Sequence, residues 1–244
     1  MFNQILVFIL ISVYPACFAA PIKHFSCTGN AEIKIFGHHF DEPNLLRLDD
    51  ESLRAQNDTN LSVDDDVVSI AGGTWNFVAP DHALSNFAVL GNCHVVAKNW
   101  NGTIRNINIE SKSDTFLEGF YHIDNIHQNG KGRFMVYWID DHQDLKVELS
   151  SGKMFLAGDV KNLVLSLNQD ADFDGRQLRA FKILAKSENQ SKAVLHPLAK
   201  LSVFAKDTSQ VTYTTAIRHP NINNFDQASV YLEPLVEPKS EPKS

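Results

Sequence analysis

From residue 24 onward the chain alternates. In Ala31-Glu32-Ile33-Lys34-Ile35-Phe36 nearly every second side chain is apolar, the period of a strand with one buried face. Leu145, Val147 and Leu149 repeat it, as do Leu201, Val203 and Ala205, then Val211, Tyr213, Thr215 and Ile217. Two continuous apolar runs, residues 87–90 and 134–139, read as strands buried on both faces. Turn residues punctuate these runs. Asn101-Gly102, between HVVAKNW and TIRNINI, suits a type I′ hairpin because both central residues need positive φ. Asn129-Gly130 precedes the run at Phe134, and Ser150-Ser151-Gly152 joins LKVEL to KMFLA. Helical periodicity is sparse: LLRLDDESLRAQ has room for two or three turns, a short turn follows Pro80, and FDGRQLRAFKILA suits helix or strand. Short strands at this spacing predict an all-β chain of the sandwich or barrel kind.

The ends read differently. The first twenty residues carry no charge, and their apolar run, about residues 5–13, is too short to span a bilayer. Cys17 and Ala19 occupy the small-residue positions before a cut after Ala19, so residues 1–19 read as a secretory signal peptide. No later segment is long and apolar enough to span, so the mature chain is expected to be secreted and extracellular. The polar, glycine-bearing residues 127–132 separate two strand-rich halves, which gives one domain over 20–128 and a second β-rich domain over 129–235. Residues 236–244 close the proline-spaced EPLVEPKSEPKS, a composition that reads as a disordered tail.

Charge narrows the partners. Lys and Arg number 22 against 29 Asp and Glu, a net of −7 with no basic cluster, which argues against nucleic acid or an anionic membrane as an electrostatic partner. Cutting the leader removes Cys17 and leaves Cys27 and Cys93. In an oxidising compartment that pair reads as one disulfide, two free buried thiols being the alternative. Four N-x-S/T triplets, at Asn57, Asn60, Asn101 and Asn189, are candidate glycosylation sites on a secreted chain.

Candidate chemistry is thin. Asp170, Asp172 and Asp174, closed by Gly175, have the D-x-D-x-D-G spacing of a calcium loop. An EF-hand also needs a bidentate carboxylate at its twelfth position, where Phe181 stands. The stretch reads as a solvated acidic turn, with a looser calcium site completed by other segments left open. No cofactor other than that calcium is expected. Ten histidines are scattered without HExxH spacing, and no G-x-S-x-G elbow, P-loop or dinucleotide glycine pattern occurs. Trp75, Trp100, Trp138, Tyr121 and Tyr137 either fill a core or line a sugar- or lipid-binding groove.

Several segments share an order with a known family. Cys27-Thr28-Gly29 is followed by AEIKIF, then the acidic, leucine-rich DEPNLLRLDDESL, then SVDDDVVSIAG (62–72), FAVLGNC ending at Cys93, and HVVAKNWNGTIRNINI. In that order they resemble the transthyretin-like family of secreted nematode proteins, departing from it where Asp66 and Val68 replace the glycine and phenylalanine of the family's central box. SSGKMFLAG (150–158) fits the same box with Gly152, Met154, Leu156 and Gly158, so the second half reads as a diverged copy. The resemblance implies an immunoglobulin/transthyretin-like β-sandwich, two in tandem, with the disulfide pinning an early strand to a later one. It also implies an extracellular, non-enzymatic protein. The function expected is that of a secreted non-catalytic glycoprotein binding an extracellular protein, lipid or glycan. Alternatives are a secreted hydrolase with a spatially assembled site, or a calcium-dependent adhesion or lectin-like protein.

Overall fold

The computed structural model describes residues 21–37, 45–48, 53, 56, 58–79 and 84–233. The expected leader (1–19), the tail (236–244) and Asn57 lie outside these residues. Fifteen strands form one continuous sheet. In chain order they are β1 (His24–Gly37), β2 (Leu46–Arg47), β3 (Leu61–Asp64), β4 (Val67–Ala79), β5 (Leu84–Val89), β6 (His94–Lys98), β7 (Gly102–Ile109) and β8 (Thr115–Gln128). There follow β9 (Arg133–Leu149), β10 (Lys153–Leu167), β11 (Asp172–Ser187), β12 (Lys192–Ala205), β13 (Gln210–Tyr213), β14 (Asn221–Asn224) and β15 (Ser229–Leu232).

Neighbouring strands run parallel; among the described pairs only β3 against β4 is antiparallel. Parallel neighbours need a long return path between them, and here the strand itself is that path. Ile107 pairs with Ile126, Ile126 with Val147, Val147 with Leu165, Leu165 with Ala185 and Ala185 with Val203. Each step advances 18 to 21 residues, so the chain returns to its own starting point one rung on. That is a β-solenoid. Register irregularities divide each full coil into three arms; in β10 they fall between Leu156 and Gly158 and between Val160 and Asn162.

The alternation seen in the sequence is inward against outward, not the two faces of a sandwich. A second inward column runs Ile33, Val95, Thr115, Phe134, Met154, Phe173, Ala193, Val211. All of these are fully or nearly fully buried. A buried residue of this size contributes roughly 1.5–3 kcal/mol, and like residues sit directly above one another at roughly 4.8 Å.

Between coils the chain turns in about five residues by a recurring recipe. Two positions before each residue of that second column stands a small one: Cys93, Ser113, Gly132, Gly152, Ala171, Ser191, Ser209. At four of these turns the residue two positions earlier takes a positive φ: Gly91 (69°), Gln169 (50°), Asn189 (61°) and Asp207 (62°). Asn, Asp and Gly tolerate that conformation best. Inward polar groups serve these turns. Gln128 Nε2 donates to the Gly132 carbonyl at 2.9 Å, and the Ser209 hydroxyl donates to the Ser187 carbonyl at 3.0 Å.

The amino-terminal coils are stacked out of sequence. β1 lies between β4 and the rung made of β5 and β6. The chain therefore leaves β1, builds the outermost coil, then skips back over β1. Leu48, Leu53 and Leu61, all buried, close that end, with β2 and β3 on its edge. Cys27 of β1 is bonded to Cys93, just ahead of β6, with Cα atoms 6.2 Å apart. The disulfide thus joins two rungs that are adjacent in space and 66 residues apart in the chain.

Four expectations change. The immunoglobulin/transthyretin-like sandwich is replaced by a solenoid, because its hairpin-built antiparallel sheets are incompatible with these parallel ladders. The division into 20–128 and 129–235 falls where β8 and β9 are paired from Thr115↔Phe134 to Gln128↔Leu149, so the sheet runs through it. The hairpins read at Asn101-Gly102 and Ser150-Ser151-Gly152 are solenoid corners: β6 and β7, which flank the first, pair with β1 and β8 and with β5 and β8 but not with each other, and β9 pairs β10 in parallel. The two boxes read as copies are not equivalent either. Val68 stacks on Phe25 in the column of Ile107, whereas Met154 belongs to the column of Phe134. The unit that recurs is the coil.

Two outcomes are expected. Cys93→Ala lowers the free energy of unfolding by about 2–5 kcal/mol, read from urea denaturation under non-reducing conditions. Leu165→Ala, which opens the centre of an inward column, costs about 2–5 kcal/mol in the same measurement; a loss below 1 kcal/mol would mean the column is not packed.

Candidate binding surface

The outward positions of the first arm form a second set of columns. Asp114, Arg133, Lys153, Asp172 and Lys192 occupy one, directly before the inward column at Thr115, Phe134, Met154, Phe173 and Ala193. On its other side stand Val96, Phe116, Met135 and Phe155, paired rung to rung, followed by Asp174 and Val194. Each coil thus presents a charged or polar residue, an inward one and a second outward one, and in consecutive coils the last is Val96, Phe116, Met135 and Phe155. Tyr137, 42% exposed, extends the strip, its ring 5.1 Å from that of Phe155.

Ion pairs fix the charged edge. Arg133 donates from Nε and Nη2 to Oδ2 of Asp114, and its backbone N–H donates to Oδ1 at 2.9 Å. The guanidinium lies 5.8 Å from the centre of the Phe116 ring, and the His94 ring meets Phe116 edge-on at 5.9 Å. The hydrogen bond from the Arg133 side chain, more than any other influence, holds the Asp114 carboxyl below its ordinary value. The result is a flat, rigid face: an apolar strip with an ordered polar rim, the arrangement of an interface core and rim.

The acidic loop does not converge. Asp170 is exposed in the turn before β11, while Asp172 and Asp174 both point outward from β11 on either side of buried Phe173. Asp172 Oδ2 lies 3.9 Å from Lys153 Nζ. Asp174 is held by Arg176 through the guanidinium and the backbone N–H. Burial pushes the Asp174 carboxyl up, but those bonds outweigh it and keep it below its usual value. Among the described residues, no three His, Cys, Asp or Glu side chains gather as a metal site.

The aromatic residues divide. Trp100 and Tyr121 are buried, their rings 5.9 Å apart edge to face. Trp75 is half-buried and donates from Nε1 to the Gly72 carbonyl at 2.7 Å. Trp138 is half-buried, and Tyr137 alone of the five is exposed. Histidines that hydrogen-bond do so to Asn86 (His24), Glu148 (His127) and the Arg176 carbonyl (His196).

The described sequons differ in setting. Asn60 is exposed beside β3; its N–H donates to Asp58 and its carbonyl accepts from Ala71. Asn101 is half-buried, and its side-chain oxygen accepts from the Phe120 N–H at 2.8 Å. Asn189 is exposed in the turn stack, with its side-chain nitrogen donating to Asn168. It lines an open polar groove of about 880 Å³ that also includes Asn129, Gln169, Asp170, Asp207 and Thr208.

Phe116, Met135, Phe155 and the Asp114–Arg133 pair escaped the sequence reading. The signal was present as the triplets Asp-Thr-Phe, Arg-Phe-Met and Lys-Met-Phe beginning at 114, 133 and 153, visible only when the chain is written out at the coil period.

No family model matches the chain, and no curated protein matches it. The fold is similar to the crystal structure of a "putative adhesin" from Parabacteroides merdae, with a TM-score of 0.64 over 87% of this chain and 92% of that one at 14% identity. At that identity the likeness concerns the fold.

The Asp114–Arg133 pair makes a pH prediction. A depressed carboxylate adds stability above its ordinary range and loses it as the pH falls through the folded value. The melting temperature of wild type should exceed that of Asp114→Asn at neutral pH, and the gap should close on acidification below the usual carboxylate range. A gap unchanged by pH would rule out the ionic contribution.

Proposed function

We propose that this chain is a secreted, non-catalytic glycoprotein that binds an extracellular partner through the outward face of its first arm. The observation that carries the reading is the apolar strip Phe116–Met135–Phe155, with Tyr137 beside it and the Asp114–Arg133 pair along its edge. Single exposed apolar residues need no explanation, but a contiguous row rimmed by polar groups marks an interaction site. Stacked coils hold the row rigid, so little ordering entropy opposes binding. A buried disulfide supports an oxidising compartment. The solenoid shared with the Parabacteroides protein, which is named for adhesion, points the same way.

The test uses the purified glycosylated chain against immobilised extracellular-matrix proteins and glycans, with affinity read by biolayer interferometry. Tyr137→Ala with Phe155→Ala should weaken the strongest interaction by about tenfold or more, the scale of losing one hot-spot residue, while the circular dichroism spectrum stays that of wild type. Unchanged affinity in the folded double variant would remove this face as the site.

A further inference from the structure

The two ends of the solenoid are finished differently. At the amino-terminal end the outermost inward residues Val68, Ile70 and Phe77 are 0% exposed, and Leu48, Leu53 and Leu61 are buried in the same core cluster. At the other end, among the described residues, the columns stop without a further coil. Val203 is 2% and Val211 0% exposed, yet the residues stacked on them, Ile222 and Val230, are only half-buried, and Leu232, stacked on Tyr213, is 40% exposed. Phe225 and Tyr231 on the same coil are 50% and 48% exposed. β14 pairs only with β12 and β15 only with β13, so among the described residues neither has a partner strand on its outer edge.

We propose that this open end pairs with the same end of a second copy of the chain, β15 and β14 joining their counterparts edge to edge. Exposed strand edges are normally protected by charges, prolines or a covering segment. β14 reads Asn-Ile-Asn-Asn and β15 Ser-Val-Tyr-Leu, without one charged side chain; the nearest charges, Asp226 and Glu233, flank the strands rather than lie within them. Beyond β15 the sequence places prolines at 234, 238 and 242, each lacking the N–H that a ladder strand donates. Pairing of this end with the same end of a second copy is isologous, so the assembly closes at two copies related by a two-fold axis. The inference stands apart from the binding face, which lies along the side of the solenoid.

The experiment is light scattering coupled to size exclusion on the full secreted chain from about 1 to 100 µM, the range in which modest interfaces assemble. The expected result is twice the mass of one chain for wild type and the mass of one chain for Leu232→Lys. Should that variant fail to fold, Ser229→Lys serves instead, because its outward column already carries Lys153 and Lys192 and the coil accommodates lysine there. A wild-type chain of single mass throughout overturns the proposal. So does a dimer that survives the substitution in a folded variant, since it would form through another surface.

Discussion

Everything in this molecule depends on one constraint: each coil is the floor of the next. Parallel hydrogen bonding fixes the register, so a side chain pointing inward must pack on the one 18 to 21 residues before it and the one after. A polar group in such a column survives only with a local partner. Gln128 satisfies its amide nitrogen on the carbonyls of Gly130 and Gly132, and Ser187, Ser191 and Ser209 bond one another or nearby backbone. The Tyr121 hydroxyl, Thr115 Oγ1 and the Oε1 of Gln128 itself are exceptions, buried with no hydrogen-bond partner. Burial pushes the Tyr121 phenol far above its ordinary value, so that side chain stays neutral in the core.

The same constraint explains where the covalent bond lies. From β5 onward, chain neighbours become neighbours in the stack, and the turn recipe suffices to define the next rung. The step from β1 outward to β4 and back to β5 has no such guide, because β5 must ignore the coil just made and pair with an older one. Cys27–Cys93 ties those two rungs together. A ladder of amides supports the same junction on the outside: Asn125 donates to Asn106, Asn106 to Asn86, and Asn86 meets His24 at 2.7 Å.

Alternation was legible because the pleat enforces it whatever lies alongside. Strand direction was not, since Ile33, Val147 and Val203 would alternate identically in a sandwich. Turn residues misled for a physical reason: Asn and Gly suit a solenoid corner as well as a hairpin, and neither Asn101-Gly102 nor Asn129-Gly130 takes the positive φ that a type I′ turn needs. The coil period was written in the chain, but its markers vary between Gly91, Gln169, Asn189 and Asp207 at one position and between Cys, Ser, Gly and Ala at the other. Shared conformation rather than shared identity linked them. The cysteine pair was legible because so few partners were available. The apolar strip was not, because its residues are neighbours only across coils.

Outward columns are free of the packing rule that governs inward ones. Nothing in the coil obliges residue 135 to resemble residue 116 or 155, and elsewhere on the surface the outward columns change character from rung to rung, as Lys146, Val164, Leu184 and Ser202 do. A run of Val96, Phe116, Met135 and Phe155 is therefore not a by-product of folding. All four are half-buried, each leaving part of its apolar surface outward, and Arg133 is held over Phe116 by Asp114 rather than left free in solvent. On the proposed reading, a partner that covers the strip supplies the cause outside the chain.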